Sequence, residues 1–120
     1  MAAAAAHRQA QVFRVLSHPD RIALIAMLGR REACVCHLAR ALGRTEPYVS
    51  QHLAVLRAAG LLSRRRQRAF TYYALRDFSV LGILDLAAHL TGSSLQGVSA
   101  PDGCDCPACR PTARGKRDAH

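Results

Sequence analysis

The stretch from Val35 to Gly60, VCHLARALGRTEPYVSQHLAVLRAAG, decides the fold. Apolar residues recur at helical spacing from Val35 to Leu42, and Gly43 closes that run. Thr45 suits a helix cap, Glu46 and Pro47 suit a first turn, and a second helix carries Val49, Leu53, Val55 and Leu56 up to Gly60. Two short helices joined through a glycine have the proportions of a helix-turn-helix. The second helix of that motif reads DNA with polar side chains near its N-terminal half. Tyr48, Ser50, Gln51 and His52 fall there; Ser50, Gln51 and His52 are the candidates for base edges, while Val49, Leu53 and Leu56 face inward. A solvated face of an ordinary amphipathic helix has the same pattern, so the flanking sequence has to decide.

Downstream, Leu61 to Arg65 and Phe70 to Leu75 are β-prone segments on either side of an arginine-rich tip, Arg65-Arg66-Gln67-Arg68, which predicts a hairpin or wing. Arg64, Arg65, Arg66 and Arg68 repel one another unless phosphates neutralise them, and Arg57 on the reading helix joins them as a DNA contact. Upstream, Val12, Phe13 and Leu16 mark a helix from His7 to Leu16. Ile22, Leu24, Ile25 and Leu28 mark another that starts at Pro19 and ends near Gly29. Helical periodicity returns from Asp77 to Leu90 through Phe78, Leu81, Leu84 and Leu86. The expected fold is mainly α with a small β-hairpin, a winged helix-turn-helix over residues 1–91, followed by a flexible, Cys-rich basic tail over residues 92–120. One such unit reads half of a two-fold site, so a homodimer on double-stranded operator DNA is expected, with the first and last helices left over to form its interface.

Composition agrees with that reading. The chain has 120 residues, half of them apolar, which is enough for one folded domain. Lys plus Arg number 17 and Asp plus Glu 8, a net charge of +9, which favours a polyanion and nucleic acid before a membrane surface. No apolar run approaches the roughly 20 residues of a membrane span. The Ala-rich start lacks the charged and long apolar regions of a secretory signal, so a reducing cytoplasm is the expected compartment. There an odd set of five cysteines, Cys34, Cys36, Cys104, Cys106 and Cys109, points to metal or redox chemistry rather than structural disulfides. An enzyme is not expected: no nucleophile and base pair, no phosphate-cradling glycine loop and few carboxylates are present.

Three segments, Leu16 to Ile22, Glu32 to Leu38 and Val49 to Leu61, resemble the ArsR/SmtB family of winged-helix metalloregulators over roughly Val12 to Leu90. The resemblance implies a homodimeric repressor that leaves its operator when a toxic metal or metalloid binds. Cys34-Val35-Cys36 resembles the thiolate motif of arsenite, antimonite, cadmium and lead sensors at the start of the third helix. Two departures stand out. Ala39 occupies the place of a further cysteine in the arsenic sensors that keep all three thiolates on this helix, and His37 that of the usual acid. The zinc-type site of the last helix looks broken, since Asp77 is followed by Ser79 and His89 is the one histidine left on that helix.

Residues two apart on a helix point about 200° away from each other, so Cys34 and Cys36 can share one ion only at the helix start, with Cys34 as cap and Cys36 in the first turn. There the helix N-terminus favours thiolates. Such soft donors suit As(III) or Sb(III), which take three, and Cd(II) or Pb(II), which take three or four. Two are too few, and the tail offers Cys104, Cys106 and Cys109 to complete the set. Two rival readings remain. One is a repressor of the same fold that answers thiol oxidation or persulfide formation; the other is a metal-buffering protein whose basic surface is incidental.

Overall fold

In the computed structural model, which describes residues 2–95, each helix start and stop has a local cause. Helix α1 spans Ala2–Leu16. It begins five residues earlier than the apolar spacing predicts, because the run Ala2 to Ala6 has the highest intrinsic helix propensity of any residue type. His18 is extended and its Nδ1 accepts the Asp20 backbone N–H at 3.1 Å, so α2 (Pro19–Leu28) starts on a proline that needs no partner for its nitrogen. Helix α3 (Val35–Leu42) ends at Gly43, whose left-handed φ of 71° turns the chain into α4 (Glu46–Ala58), itself capped by the Thr45 hydroxyl on the Tyr48 N–H. Helix α5 (Ser79–Thr91) begins after Asp77, whose Oδ1 accepts both the Ser79 N–H and its hydroxyl.

The sheet is larger than the predicted hairpin. Strands β2 (Leu62–Gln67) and β3 (Phe70–Leu75) form the wing, and a two-residue strand β1 (Ala33–Cys34) pairs antiparallel with β3, giving the order β1-β3-β2. Two residues carry no readable alternation, which is why the sequence does not announce this strand. The strands also run to Gln67 and Phe70, so the tip is only Arg68 and Ala69, with Arg68 at φ 58°. Arg65, Arg66 and Gln67, expected at the tip, are strand residues.

Leu24, Ile25 and Leu28 of α2, Leu38 of α3, and Val49, Leu53 and Leu56 of α4 meet Leu62, Tyr73 and Leu75 of the sheet in one core. Val55, read as part of the apolar run, turns outward, as do Phe78 and Leu86; Leu81 and Leu84 pack half-buried against the core. Since Leu53 is fully buried where α4 meets that core, Leu53→Ala should cost about 2–5 kcal/mol, read as a lowered urea midpoint with an unchanged slope. A loss under about 1 kcal/mol would mean that the helices repack around the gap.

Candidate nucleic-acid interface and thiol pair

Helix α4 is held to α2 by a polar clamp at the rim of the core. The Tyr48 hydroxyl donates a short hydrogen bond to the Asp20 carboxylate, and Arg44 lies 3.5 Å from the same carboxylate and over the Tyr48 ring. Arg21 Nε donates to His52 Nδ1 at 3.1 Å, and the His52 ring packs 4.4 Å from His18 and edge-on to Tyr48. The bond from Tyr48 lowers the Asp20 carboxyl below the usual carboxylate range and raises the Tyr48 phenol. Of the polar residues predicted to read DNA, Tyr48 and His52 are therefore engaged with α2. Gln51 is exposed and Ser50 is half-buried. Ala54, Val55, Arg57 and Ala58 are exposed further along the helix.

His18, Asp20 and His52 place possible ligand atoms within 4.8 Å of one another. Both Nδ1 atoms already accept hydrogen bonds, so each neutral ring carries its proton on Nε2 and has no lone pair to spare. With Arg21 and Arg44 beside it, this cluster works as a clamp and not as a cation site.

The wing arginines divide by strand alternation. Arg64, Arg66 and Arg68 are exposed and make no ion pair among the described residues. Arg65 projects from the opposite face, paired with Glu32 and stacked 4.6 Å over Tyr72. Arg57 and Arg64 converge with Arg76, which the sequence reading missed, on a cleft of about 490 Å³. Arg76 follows β3 directly, so only the three-dimensional return of the wing to α4 brings it there.

Cys34 takes the cap position of α3 with extended backbone, and Cys36 lies in the first turn. Their sulfurs are 3.2 Å apart. Cys34 is 1% exposed and forms a small cluster with Tyr72, against which Cys36 and Phe70 pack half-buried. Cys36 is disulfide-bonded. Cys104, Cys106 and Cys109 lie outside the described residues. Just before α5, the Asp77 carboxylate is occupied by the Ser79 N–H and hydroxyl, and His89 on the helix is exposed.

Burial in the clamp, with the Arg21 guanidinium beside the ring acting in the same direction, holds His52 below its ordinary value near 6.5. The unfolded chain therefore binds its proton first as pH falls, and the folded state loses stability from about pH 6.5 downward, through the lower folded value. Urea midpoints should drop between pH 7 and about 5.5, and His52→Gln should flatten that drop. Equal drops in both proteins would assign the effect to another group. Asp20 acts in a separate window, its stabilisation being lost only at strongly acid pH, below 3.8.

Residues 18–64 match the arsR family of bacterial regulatory proteins. The chain is 38% identical over 89 residues to the transcriptional repressor SmtB homolog of Synechocystis sp., an alignment covering 73% of this chain and 67% of that protein. It is 39% identical over 66 residues to the arsenical resistance operon repressor of Escherichia coli, covering 54% of this chain and 56% of the relative. The chain thus spans between 56% and 67% of the length of these two relatives. The solution structure of the homodimeric winged helix-turn-helix DNA-binding domain Mb0332 from Mycobacterium bovis superposes with a TM-score of 0.62 at 25% identity, covering 75% of this chain and 88% of that one. The matched segment contains α3, α4 and the clamp that seats them, and this chain belongs to the ArsR/SmtB family of winged helix-turn-helix transcriptional regulators.

Proposed function

We propose that the protein is a cytoplasmic, homodimeric repressor whose grip on operator DNA weakens when a thiophilic ion binds Cys34 and Cys36. The observation that carries this reading is the 3.2 Å separation of the two sulfurs at the start of α3, the first helix of the helix-turn-helix; Cys36 becomes a thiolate donor once its disulfide is reduced. Two sulfurs, each about 2.3 Å from a thiolate-bound ion, span such a distance. As(III) or Sb(III), or Cd(II) or Pb(II), are the ions that such donors suit. Cys104, Cys106 and Cys109 are the donors proposed to complete the set, since Ala39 leaves α3 one short. The name of the Escherichia coli relative, an arsenical resistance repressor, supports the metalloid.

Dimerisation is supported by apolar surface that one protomer leaves uncovered: Phe13 on α1 is 56% exposed, and Leu86 and Leu90 on α5 are 67% and 89% exposed. An apolar groove of about 660 Å³ between α2 and α5, lined by Ile22, Ala26, Leu81 and Leu84, continues that surface. In the resulting assembly Ser50, Gln51 and Arg57 face the major groove, and Arg64, Arg66, Arg68 and Arg76 meet phosphates. Tyr48 and His52 act by seating α4. The disulfide-bonded state of Cys36 favours a second reading, in which a two-electron oxidant such as a peroxide or a polysulfide is the signal at the same thiols.

Replacing Arg64 and Arg66 together by Ala should weaken binding to all duplexes and reduce the slope of log K against log salt by about 0.9 per lost phosphate contact. Gln51→Ala should instead relax base preference by roughly 1–3 kcal/mol at one position. Fluorescence anisotropy across a salt series checks both, and an unchanged slope in the double variant would remove the wing from the DNA.

The thiol reading predicts that Cys34→Ser and Cys36→Ser bind operator as the wild type does under strong reductant but no longer release it with arsenite or cadmium. Serine at Cys104, Cys106 or Cys109 should lower ion affinity according to which sulfurs take part. Undiminished release from the Cys34→Ser, Cys36→Ser double variant would refute the site. Release by peroxide alone, reversed by reductant, would establish the oxidative signal in place of the ion.

A further inference from the structure

Cys34, Tyr72 and Arg65 occupy a single rung of the sheet. Cys34 pairs with Tyr72 across β1 and β3, and Tyr72 pairs with Arg65 across β3 and β2. Residues directly opposite in a ladder project from the same face, so the sulfur, the phenol ring and the guanidinium lie side by side. The Tyr72 ring is buried at 2% exposure against Cys34, and the Arg65 guanidinium covers it at 4.6 Å. Arg65 then reaches over to the residue two before Cys34: its Nε donates to Glu32 Oε2 at 3.2 Å and its Nη2 makes a short bond to Oε1. Its Nη1 donates to Gln67 at 2.7 Å, nearer the tip of the wing. Only Ala33 and Cys34 join β1 to the sheet through the backbone, so this two-pronged Arg–carboxylate fork is a substantial part of what ties the wing to the thiol segment.

We propose that the Glu32–Arg65 fork, seated on Tyr72, is the element through which occupancy of the Cys34 and Cys36 sulfurs changes the pose of the wing; the inference rests on the thiol-inducer reading above. Cys34 is closed off beneath its neighbours, so an ion shared with Cys36, after reduction of the Cys36 disulfide, must push Tyr72 aside or draw Cys34 from under it. Either movement shifts the platform on which Arg65 lies and moves Glu32 relative to β2. Arg64 and Arg66 flank Arg65 on the same strand and project from its other face, so a tilt of this rung re-aims both. The intact rung belongs to the state that binds DNA and the broken rung to the state that binds the ion, which supplies the differential affinity that release requires. Arg65 is thereby a positioning residue, in place of the phosphate contact that the sequence predicts.

The test uses the full chain carrying Glu32→Gln, which keeps the size of the side chain and removes the charge at an exposed position. Two quantities are read under strong reductant: sulfur-to-ion absorption on titration with cadmium, and operator affinity with and without cadmium. Absorption per ion should match the wild type. The ratio of ion-free to ion-bound operator affinity should fall by about fivefold or more, mainly through weaker binding in the ion-free state. Arg65→Lys, which keeps the charge and loses the fork, should act in the same direction. An unchanged ratio with normal absorption would overturn the coupling and leave the inducer site standing. Loss of absorption in Glu32→Gln alone would make Glu32 a ligand and overturn the proposal too. Absence of absorption in the wild type would overturn the inducer site and the coupling together.

Discussion

Helix α4 must bury one side in the core and leave the other bare enough to enter a DNA groove, and much of the molecule is arranged around that double demand. Val49, Leu53 and Leu56 are fully buried, which anchors the helix without fixing its rotation closely, since burial of apolar area has little directionality. Direction comes from the rim. Tyr48 and His52, one turn apart, bond to Asp20 and Arg21 of α2, and Arg44 in the turn joins from the other side. A small rotation of α4 would break these bonds before it exposed much leucine. The cost is that two polar side chains in the reading half of the helix are spent on orientation, which is why the proposed base contacts are Ser50, Gln51 and Arg57.

The larger elements were legible because their signals are redundant. For α3 and α4, spacing, Gly43 and Thr45 all agree, and the structure places Gly43 and Thr45 in the capping roles that the sequence gives them. Three features were not legible, each for its own reason. Strand β1 is two residues long and exists only because β3 has an open edge to receive it. The separation of Arg65 from Arg64 and Arg66 depends on strand alternation continuing to Gln67, whereas in the sequence Arg65, Arg66 and Arg68 look like one loop tip. The engagement of His52 follows from a contact with Arg21, thirty-one positions away, that no local pattern encodes. The sulfurs of Cys34 and Cys36 were legible as a pair, because residues two apart converge only where a helix begins. Their position beneath Tyr72 was not.

The thiol pair stands where three elements meet: the end of β1, the start of α3 and the face of β3. Helix α3 packs on α4 through Leu38 and Ala39, and β3 carries the wing. A change at the sulfurs thus has short physical routes to both DNA-facing elements, one through the apolar contact of the two helices and one through the Tyr72 rung. The helix route has no polar hinge, since Leu38 is fully buried and tightly packed cores resist small shifts. The rung is different. It ends in an exposed ion pair whose partners have water as an alternative, so it can break without opening the core.

Symmetry sets how strong that coupling has to be. Moving a regulator from 99% bound to 99% released requires about a 10⁴-fold change in affinity, roughly 5.5 kcal/mol. Demanding all of this from one exposed fork and one displaced ring would exceed the 1–3 kcal/mol typical of coupling between two sites. In the proposed homodimer two equivalent wings grip one operator, and each protomer then has to contribute only about a hundredfold, which falls within that range. The exposed apolar residues of α1 and α5 matter here as the proposed dimer surface. By joining two weakly coupled sensors to a single DNA site, the proposed dimer would let a modest rearrangement at each thiol pair produce nearly complete release.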